Sequence, residues 1–465
     1  MGCLAKSQPS DLLPATPSFR EAFWVWCKVA ALSFGGPAGQ IAVMHRILVE
    51  EKRWVSENRF LHALNYCMLL PGPEAQQLAT YIGWLLHRTV GGLTAGLLFV
   101  LPGFVSIMVL SVLYARYHDL TVVAGIFYGL KPAVVAVVIE AVLRIGKRSL
   151  KNRVMVLIAA AAFVAIFFFQ IPFPLIIVAA AALGYVGGKL WPETFVVIKE
   201  RVPKDGEAVE LHAISDAMAA AVRPSVRHAL RTSAIWLTVW LAPIAAVWSF
   251  AGRESVYTQE ALFFSKTALV TFGGAYSVLA YIGQECVDTY HWLAPGEMLD
   301  GLGMAETTPG PLIQVVQFVG FLGAYRDPQP LSPLWAGVAG AVISTWVTYA
   351  PCFLWIFLGA PYIEYLRGRK ALNAALSTIT AAVVGVVLNL SIWFALHTMF
   401  GSVVERHIGP LRLLVPDWPT VDPAAVLIAV AAMVAMLRFH VGMITTLFAS
   451  AVVGLLYVTY PWTAS

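Results

Sequence analysis

The sequence contains few charged residues. Only 12% of its 465 residues are Asp, Glu, Lys or Arg, whereas 59% are hydrophobic. An ordinary soluble domain carries about 25% charged residues, so this composition excludes a soluble fold. Apolar runs such as residues 92–113 and 154–169 occur along the whole chain, and a bilayer crossing needs about 20 such residues. The sequence therefore predicts an all-α, polytopic membrane protein without a separate water-soluble domain.

Cysteine and metal-binding patterns are also scarce. The five cysteines are scattered, with no Cys-x-x-Cys pair and no histidine at ligand spacing, so neither a disulfide framework nor a metal site is predicted. We expect no cofactor and no nucleic-acid partner. No apolar stretch precedes a small-residue cleavage site at the N-terminus, so the first hydrophobic segment, from Phe19, is expected to be retained. Residues 1–18 are polar and Pro-rich and are predicted to form a disordered tail.

An internal repeat runs through almost the whole chain. A shift of 238 residues superposes a Lys-to-Phe-Gly-Gly segment and a Pro-Gly-Pro motif on their second copies, and small gaps extend the match to two later apolar stretches. The matched pairs are residues 28–37 with 266–275, 71–73 with 309–311, 101–104 with 350–353, and 133–138 with 382–387. Self-similarity of this length predicts two related structural units.

The repeat divides the chain into two transporter-like units and a connection. We predict a first unit, a cytoplasmic loop, a linking transmembrane helix and a second unit, at residues 19–191, 192–233, 234–252 and 253–465. Each unit contains six hydrophobic elements, which gives about 13 with the linking helix, although elements that contain Gly or Pro can be re-entrant.

The parity of this arrangement predicts an inverted repeat. If each unit crosses the membrane an even number of times, a single linking helix turns the second unit upside down. The distribution of charge supports this, because residues 147–153 are basic, as cytoplasmic segments are, whereas their counterpart, residues 401–422, holds three acids and two arginines. The N-terminus is then cytoplasmic and the C-terminus periplasmic.

Each unit contains two motifs that break a membrane helix. Glycine allows a positive φ, and proline removes a hydrogen-bond donor and suits the first turn of a new helix. A helix that starts inside a membrane protein offers free N–H groups and a positive dipole end to an anion, and broken helices of inverted repeats are typical substrate sites. The alternative is that Gly and Pro only kink the helices or allow close packing. The candidate residues are Gly35, Gly36, Pro37, Pro71, Gly72, Pro73, Gly273, Gly274, Pro309, Gly310 and Pro311.

Two lysines occupy equivalent positions just before the Phe-Gly-Gly breaks. Lys28 and Lys266 are embedded among apolar residues, where a charged side chain costs roughly 2.5–3.5 kcal/mol. Facing each other, they could neutralise a dianion; alternatively, each reaches a membrane surface. Further candidate substrate ligands, which could hydrogen-bond to oxyanion oxygens, are Ser33, Thr271, Gln76 and Gln314; for each of them taken singly, an ordinary hydrogen bond between helices is the favoured alternative.

Two carboxylates beside the Pro-Gly-Pro motifs break the symmetry of the repeat. Glu74 follows the first motif, where the second unit has Leu312, and Glu306 precedes the second motif, where the first unit has Met68. An acid beside an anion site is a candidate proton carrier, because its protonation changes the charge of the site. For Glu74, a favourable charge at a helix start is the alternative.

The combination of these motifs resembles the chromate ion transporter family in its long, two-domain form. The resemblance rests on the segment Phe34-Gly-Gly-Pro-Ala-Gly-Gln-Ile-Ala, on Leu70-Pro-Gly-Pro-Glu74 and on the doubled layout. It implies a bacterial inner-membrane carrier that exports chromate, confers chromate resistance and uses the proton gradient, with sulfate as a competitor. The second unit departs from the pattern, because Ala275 stands where the first unit has Pro37.

The working hypothesis is a secondary transporter that works by alternating access, and not an enzyme. A transporter of sulfate or another oxyanion is the main alternative. An anion channel and a membrane-embedded enzyme acting on a lipid phosphate are less favoured, the latter because the histidines are dispersed. Association into a homodimer is left open.

Overall fold

The structure is a computed structural model that describes residues 17–68, 70–197, 225–272, 274–294, 296–362 and 370–460. The predicted tail up to residue 16, most of the predicted loop (residues 198–224) and Gly273 therefore lie outside the described residues. Within them, six helices are long and apolar enough to cross a membrane: α4, α5, α7, α9, α14 and α15, whose bounds follow. This content agrees with the predicted all-α polytopic membrane protein.

The first unit begins with short helices and continues with long ones. Helices α1 (Phe19–Leu32) and α2 (Gly36–His45) are separated by the Phe-Gly-Gly break, and α2 continues into a π-helical turn (Arg46–Glu51). They are followed by α3 (Glu57–Cys67), α4 (Glu74–Tyr117), α5 (Thr121–Ser149), α6 (Arg153–Phe169), α7 (Phe173–Leu190) and the one-turn α8 (Pro192–Phe195). Helix α4 is kinked at His87 and Arg88, where the backbone is not helical.

Helix α9 (Val226–Ala251) connects the two units, and it begins earlier than the expected residue 234. The second unit contains α10 (Val256–Val270), α11 (Ala275–Gln284) with a π-helical turn (Glu285–Thr289), α12 (Glu297–Thr307) and a 3₁₀ turn (Leu312–Gln314) that leads into α13 (Val315–Arg326). It ends with α14 (Pro333–Gly359), α15 (Lys370–Met399), α16 (Pro423–Leu437) and α17 (Met443–Thr459).

The two units have the same order of elements. Helices α10, α11 and α12 repeat α1, α2 and α3, including the π-helical turn, and α13 with α14 corresponds to the kinked α4. Helices α15, α16 and α17 then correspond to α5, α6 and α7. The units thus share one fold, whereas their inverted orientation and the count of about 13 segments remain predictions.

The long helices of the two units pack crosswise. Helix α5 packs on α17, and α15 packs on α7. Glycines allow both contacts: a Cβ on Gly129 would lie 1.9 Å from the carbonyl oxygen of Ser450, and one on Gly184 would lie 1.9 Å from Thr378 Oγ1. Since α5 and α15 are equivalent, each unit completes its core with helices of the other.

A β-hairpin is the departure from all-α structure among the described residues. Strands β1 (Val403–Ile408) and β2 (Leu411–Pro416) pair antiparallel between α15 and α16. This short hairpin is a local addition to the predicted all-α fold and was not predicted from the sequence. The signal was a Gly409-Pro410 turn between two short runs rich in branched residues, which is typical of a hairpin.

Candidate functional site

The helix breaks of one unit contact those of the other. The N–H of Gly72, in the first Pro-Gly-Pro turn, donates to the carbonyl oxygen of Thr271 in the second Phe-Gly-Gly break, at 2.7 Å. The N–H of Gly310, in the second Pro-Gly-Pro turn, donates to the carbonyl oxygen of Ser33 in the first break, at 2.9 Å. The structure therefore brings the predicted breaks together as two equivalent pairs, each formed across the units.

The two Pro-Gly-Pro turns require glycine. Gly72 has φ +123° and Gly310 has φ +109°, backbone angles that other residues rarely adopt. A Cβ on Gly72 would lie 2.7 Å from Cys352 Sγ, and one on Gly310 would lie 2.9 Å from the Cα of Gly103. Gly103 and Cys352 are themselves repeat equivalents, in α4 and α14. Each turn is thus pressed against a long helix of the other unit.

The four helices that begin at the breaks start without a side-chain cap. No side chain accepts from the first N–H groups of α2, α4, α11 or the 3₁₀ turn before α13; their N-cap residues are Gly35, Pro73, Gly274 and Pro311. Pro37 lies in the first turn of α2, as predicted for a new helix start. Uncapped starts leave N–H groups that an anion can accept from.

Each of the two predicted carboxylates lies beside a Phe-Gly-Gly break of the other unit. Glu306 is buried; Tyr276 donates its hydroxyl hydrogen to Oε1, while Oε2 has no hydrogen-bond partner. A Cβ on Gly36, in the first unit, would lie 3.5 Å from that Oε2. Glu74 stands in the mirrored place, because a Cβ on Gly274 would lie 4.0 Å from its Oε1. Each acid therefore borders a Phe-Gly-Gly break of the other unit.

Helix α5 brings two arginines to these acids. The charge of Arg144 acts on Glu306 and Tyr276, while its guanidinium also pairs with Glu140 one turn earlier. The charge of Arg148, one turn further along, acts on Glu74. Residues four apart share a helix face, so both guanidinium groups lie beside the breaks.

Sequence reasoning missed this pair of arginines. Arg148 was interpreted as part of a basic cytoplasmic segment, yet its Nη2 lies 3.2 Å from Sδ of Met68, just before the first Pro-Gly-Pro motif. The available signal was the spacing of Glu140, Arg144 and Arg148 at four-residue intervals on an apolar helix, which indicates a charged stripe. Which structure that stripe would face could not be read from the spacing.

Buried amides surround the breaks and retain unused hydrogen-bonding capacity. Gln76 and Gln314, which are repeat equivalents, each have a buried Oε1 without a partner. Gln76 donates to Thr80 Oγ1 at 3.1 Å, and Gln314 donates to the side chain of Gln317. Gln40, a residue not predicted, donates to the carbonyl oxygen of Gly310 at 2.6 Å. Gln40 therefore holds the second Pro-Gly-Pro turn, whereas Gln76 and Gln314 donate to other side chains and keep an oxygen that no protein group satisfies.

The hydroxyls of the predicted ligands Ser33 and Thr271 donate within their own helices. Ser33 Oγ donates to the carbonyl oxygen of Val29 and Thr271 Oγ1 to that of Thr267, both at 2.6 Å. Their hydrogens are therefore not directed at an anion. Their contribution to the site is the backbone carbonyl that holds the opposite Pro-Gly-Pro turn.

Each of the two predicted lysines is held by its own unit. Lys28 forms an ion pair with Glu51 at 2.8 Å, and its side chain is 52% exposed. Lys266 donates to the hydroxyl of Tyr281 at 3.0 Å and lies over that ring. These contacts do not support the expectation that the lysines face each other across the site. They fit the alternative, in which each lysine reaches a helix surface.

Among the described residues, no group of three or more His, Cys, Asp or Glu side chains is placed to hold a metal ion. The polar groups at the breaks are instead N–H donors, arginines, amides and two carboxylates. Such a set can bind an anion through its N–H donors and its two arginines, while the carboxylates oppose binding unless they are protonated.

Two duplicated units that meet at broken helices define a polytopic membrane protein with a cluster of polar groups where the units meet. The profile of the chromate transporter family matches residues 20–185 and 258–455, one stretch in each unit. The chain belongs to this family.

Several curated proteins are similar to the chain over most of its length. It is 31% identical to the chromate transport protein of Pseudomonas aeruginosa over 390 residues, which cover 82% of each chain. It is 26% identical to the chromate transport protein of Cupriavidus metallidurans, over 88% of this chain and 91% of that protein. A probable chromate transport protein of Synechococcus elongatus is 26% identical, over 80% of this chain and 83% of that protein. No solved structure matches the chain significantly.

Proposed function

We propose that the chain is a secondary transporter of chromate and that the crosswise cluster of helix breaks is its substrate site. The observation that carries this proposal is the meeting of four uncapped helix starts with Arg144 and Arg148. Free N–H groups and guanidinium groups are the donors that bind tetrahedral oxyanions. The names of the similar proteins identify chromate as the first oxyanion to test.

Binding of the dianion combines backbone and side-chain donors. The four helix starts direct N–H groups and positive dipole ends to one centre, and the two arginines supply two positive charges from a single helix face. The predicted site residues in the breaks, from Gly35 to Pro37 and from Pro71 to Pro73 with their counterparts, act through their backbone. Gln76 and Gln314 contribute polar lining beside the turns.

Glu74 and Glu306 supply the link to protons in this proposal. A carboxylate near a bound dianion repels it, and protonation removes that repulsion. A negative carboxylate and the dianion oppose each other, so chromate binds best when the carboxylates are protonated. This link moves protons and chromate in the same direction. Export of chromate, and the resistance that it confers, is proposed from the resemblance to the chromate transporter family; the membrane potential, negative inside, favours outward movement of a dianion.

The proposed setting is the bacterial inner membrane, with the N-terminus cytoplasmic and the C-terminus periplasmic. In an inverted pair of units, rocking of one unit against the other exposes a shared site to either side in turn. The crosswise hydrogen bonds at Gly72 and Gly310 lie where the units would move. The site therefore needs no part outside this chain, whether or not the protein forms a homodimer.

The test is chromate uptake into proteoliposomes, with and without an imposed pH gradient. Competitors are sulfate, phosphate and molybdate, and the variants are Arg144→Gln and Arg148→Gln, with Lys28→Gln and Lys266→Gln as matched controls that also remove one positive charge each. We expect saturable, gradient-driven flux that is lost in the arginine variants and largely kept in the lysine variants.

Other outcomes separate the alternatives. If the lysine variants lose flux and the arginine variants keep it, the site proposed here is wrong, and Lys28 and Lys266 bind the dianion instead. Stronger transport of sulfate than of chromate identifies a sulfate carrier with the same site. Flux that neither saturates nor responds to the pH gradient identifies a channel.

A further inference from the structure

A cavity lined in part by polar side chains lies between α4, α5 and α12, apart from the helix breaks. Its volume is about 230 Å³, and its polar lining includes Tyr114, His118, Tyr128, Lys131, Asp300 and Thr398. The side chain of Lys131 is 32% exposed, whereas that of Asp300 is 2% exposed. The lysine therefore stands towards the open side and the aspartate at the closed end.

Asp300 is a buried carboxylate with only one satisfied oxygen. Its Oδ2 accepts a hydrogen bond from the Tyr114 hydroxyl at 2.8 Å and lies 3.2 Å from Lys131 Nζ. Its Oδ1 is buried and has no hydrogen-bond partner. A buried carboxylate without full compensation is costly to keep charged, so this group is suited to take up a proton from water in the cavity.

The charged state of Lys131 and that of Asp300 each depend on the ion pair between them. A Cβ on Gly296 would lie 3.5 Å from Lys131 Nζ, which places the ammonium beside the start of α12. A cation is unfavourable at that end of a helix. A second carboxylate, Glu297, is bound by both terminal nitrogens of Arg326, at 2.7 and 2.8 Å. Its Oε1 also lies 3.5 Å from the Tyr114 hydroxyl, so Glu297 and Asp300 share that donor.

The remaining titratable groups around the cavity have partners of their own. His118 stacks on Tyr114 and pairs with Asp119. Tyr128 donates to Asp422 at 2.6 Å and stacks on Tyr457 from α17. The counterpart of Asp300 in the first unit is His62, so this carboxylate is an asymmetric feature.

We propose that Asp300 is a proton-binding site that controls the substrate site through its ion pair with Lys131. The proposal rests on the function proposed above. Helix α12 carries both Asp300 and Glu306, and α5 carries both Lys131 and Arg144. The ion pair thus joins the helix that carries Glu306 to the helix whose Arg144 acts on it by charge. A proton added to the Asp300 carboxylate breaks the pair and frees α12 to move against α5.

Two transport assays of the reconstituted protein, chromate exchange and uptake driven by a pH gradient, distinguish a loss of proton coupling from a loss of chromate binding. Asp300→Asn keeps the shape and removes the proton acceptor, and Lys131→Gln removes its partner. Glu254→Gln removes an equal charge from an exposed side chain in the connection between α9 and α10 and serves as the control. We expect chromate exchange between two chromate-containing compartments to stay near the native rate in all variants. Uptake driven by a pH gradient should fall about tenfold in Asp300→Asn and Lys131→Gln but not in Glu254→Gln.

A double variant that removes both charges of the ion pair controls for misfolding of the single variants. Asp300→Asn leaves a lysine unpaired, which destabilises a buried site, whereas the double variant with Lys131→Gln leaves no unpaired charge. We expect the double variant to fold and to show the same loss of gradient-driven uptake with intact exchange. Full gradient-driven uptake in Asp300→Asn or in the double variant would overturn the proposal.

A measurement without substrate keeps this proposal distinct from the proposed function. Infrared difference spectra of the purified protein between alkaline and acidic buffer should contain a protonated carboxyl band, besides those of Glu74 and Glu306, that is absent in Asp300→Asn and present in Glu254→Gln. Absence of that band in the native protein overturns the proton site. Its presence in a protein that transports no oxyanion leaves the proton site standing and contradicts the proposed function alone.

Discussion

At the residue scale, the site depends on glycines that no other residue can replace. Gly72 and Gly310 combine a positive φ with contact to a helix of the other unit. The N–H of each also forms the hydrogen bond that joins the units. Both the backbone angle and the missing Cβ are therefore needed at the same two positions.

Replacement of either glycine by alanine should destabilise the protein. Gly72→Ala and Gly310→Ala introduce backbone strain of about 1–3 kcal/mol, in addition to a clash with Cys352 or Gly103. Thermal unfolding in detergent should show a lowered midpoint, and chromate uptake should fall with it. Gly409→Ala is the matched control, because Gly409 also has a positive φ, +60°, but has no atom within 4 Å of the added Cβ. Equal effects at Gly409 and Gly72 would show that the helix contacts at the break contribute nothing.

The ion pair between Lys28 and Glu51 should contribute a small, pH-dependent stability. The hydrogen bond and charge of Lys28 lower the pKa of Glu51. A lowered folded-state pKa adds stability above the ordinary glutamate value, about 4.3, and this stability is lost as the pH falls through the folded-state pKa. The unfolding midpoint of Lys28→Met should thus lie slightly below that of the native protein at neutral pH and equal it in acid. A difference that persists in acid would mean that Lys28 acts by packing and not by charge.

At the element scale, helix α5 is the part of the fold that the sequence described least well. Its existence and its place in the repeat were predicted, and so were the four breaks, because glycine, proline and self-similarity are local signals. The face that α5 presents to the breaks depends on its packing against α17 and α12. This packing cannot be predicted from the sequence of α5 alone. The lysines were favoured over the arginines for the same reason: equivalence in the repeat was visible, but the direction of the side chains was not.

Removal of Glu140 should strengthen chromate binding. Its carboxylate pairs with Arg144 and competes with an anion for that guanidinium. Glu140→Gln frees the arginine, and a gain of up to about 1 kcal/mol corresponds to a several-fold lower half-saturation concentration. Initial rates of uptake over a range of chromate concentrations measure it, with Glu254→Gln, in the connection between α9 and α10, as the control. A weaker half-saturation in Glu140→Gln would instead show that Glu140 positions Arg144 for the substrate.

At the scale of the whole molecule, the orientation of the two units can be tested at equivalent connections. The connection between α5 and α6 contains Lys151, and the matching connection between α15 and α16 is the β-hairpin with Gly409 at its turn. Inverted units place these connections on opposite sides of the membrane, and parallel units place them on the same side.

Cysteine labelling distinguishes the two orientations. In a variant without native cysteines, Lys151→Cys should react with a membrane-impermeant reagent only when the cytoplasmic side is exposed, and Gly409→Cys should react in intact cells from outside the inner membrane. Labelling of both cysteines from the same side would exclude the inverted repeat, whatever the protein transports. A third cysteine at Glu254, at the end of the linking helix α9, should then label together with Gly409→Cys.

Each unit closes its Pro-Gly-Pro turn only with a carbonyl group of the other unit. A polypeptide made of one such unit would have a complete set of helices and yet no site. It would gain one only by meeting a second copy in the matching orientation. Duplication with a joining helix turns that encounter into a permanent one, and afterwards the two copies are free to diverge. Glu74 in one half and Glu306, Tyr276 and Asp300 in the other show that the two halves of the fused chain have diverged.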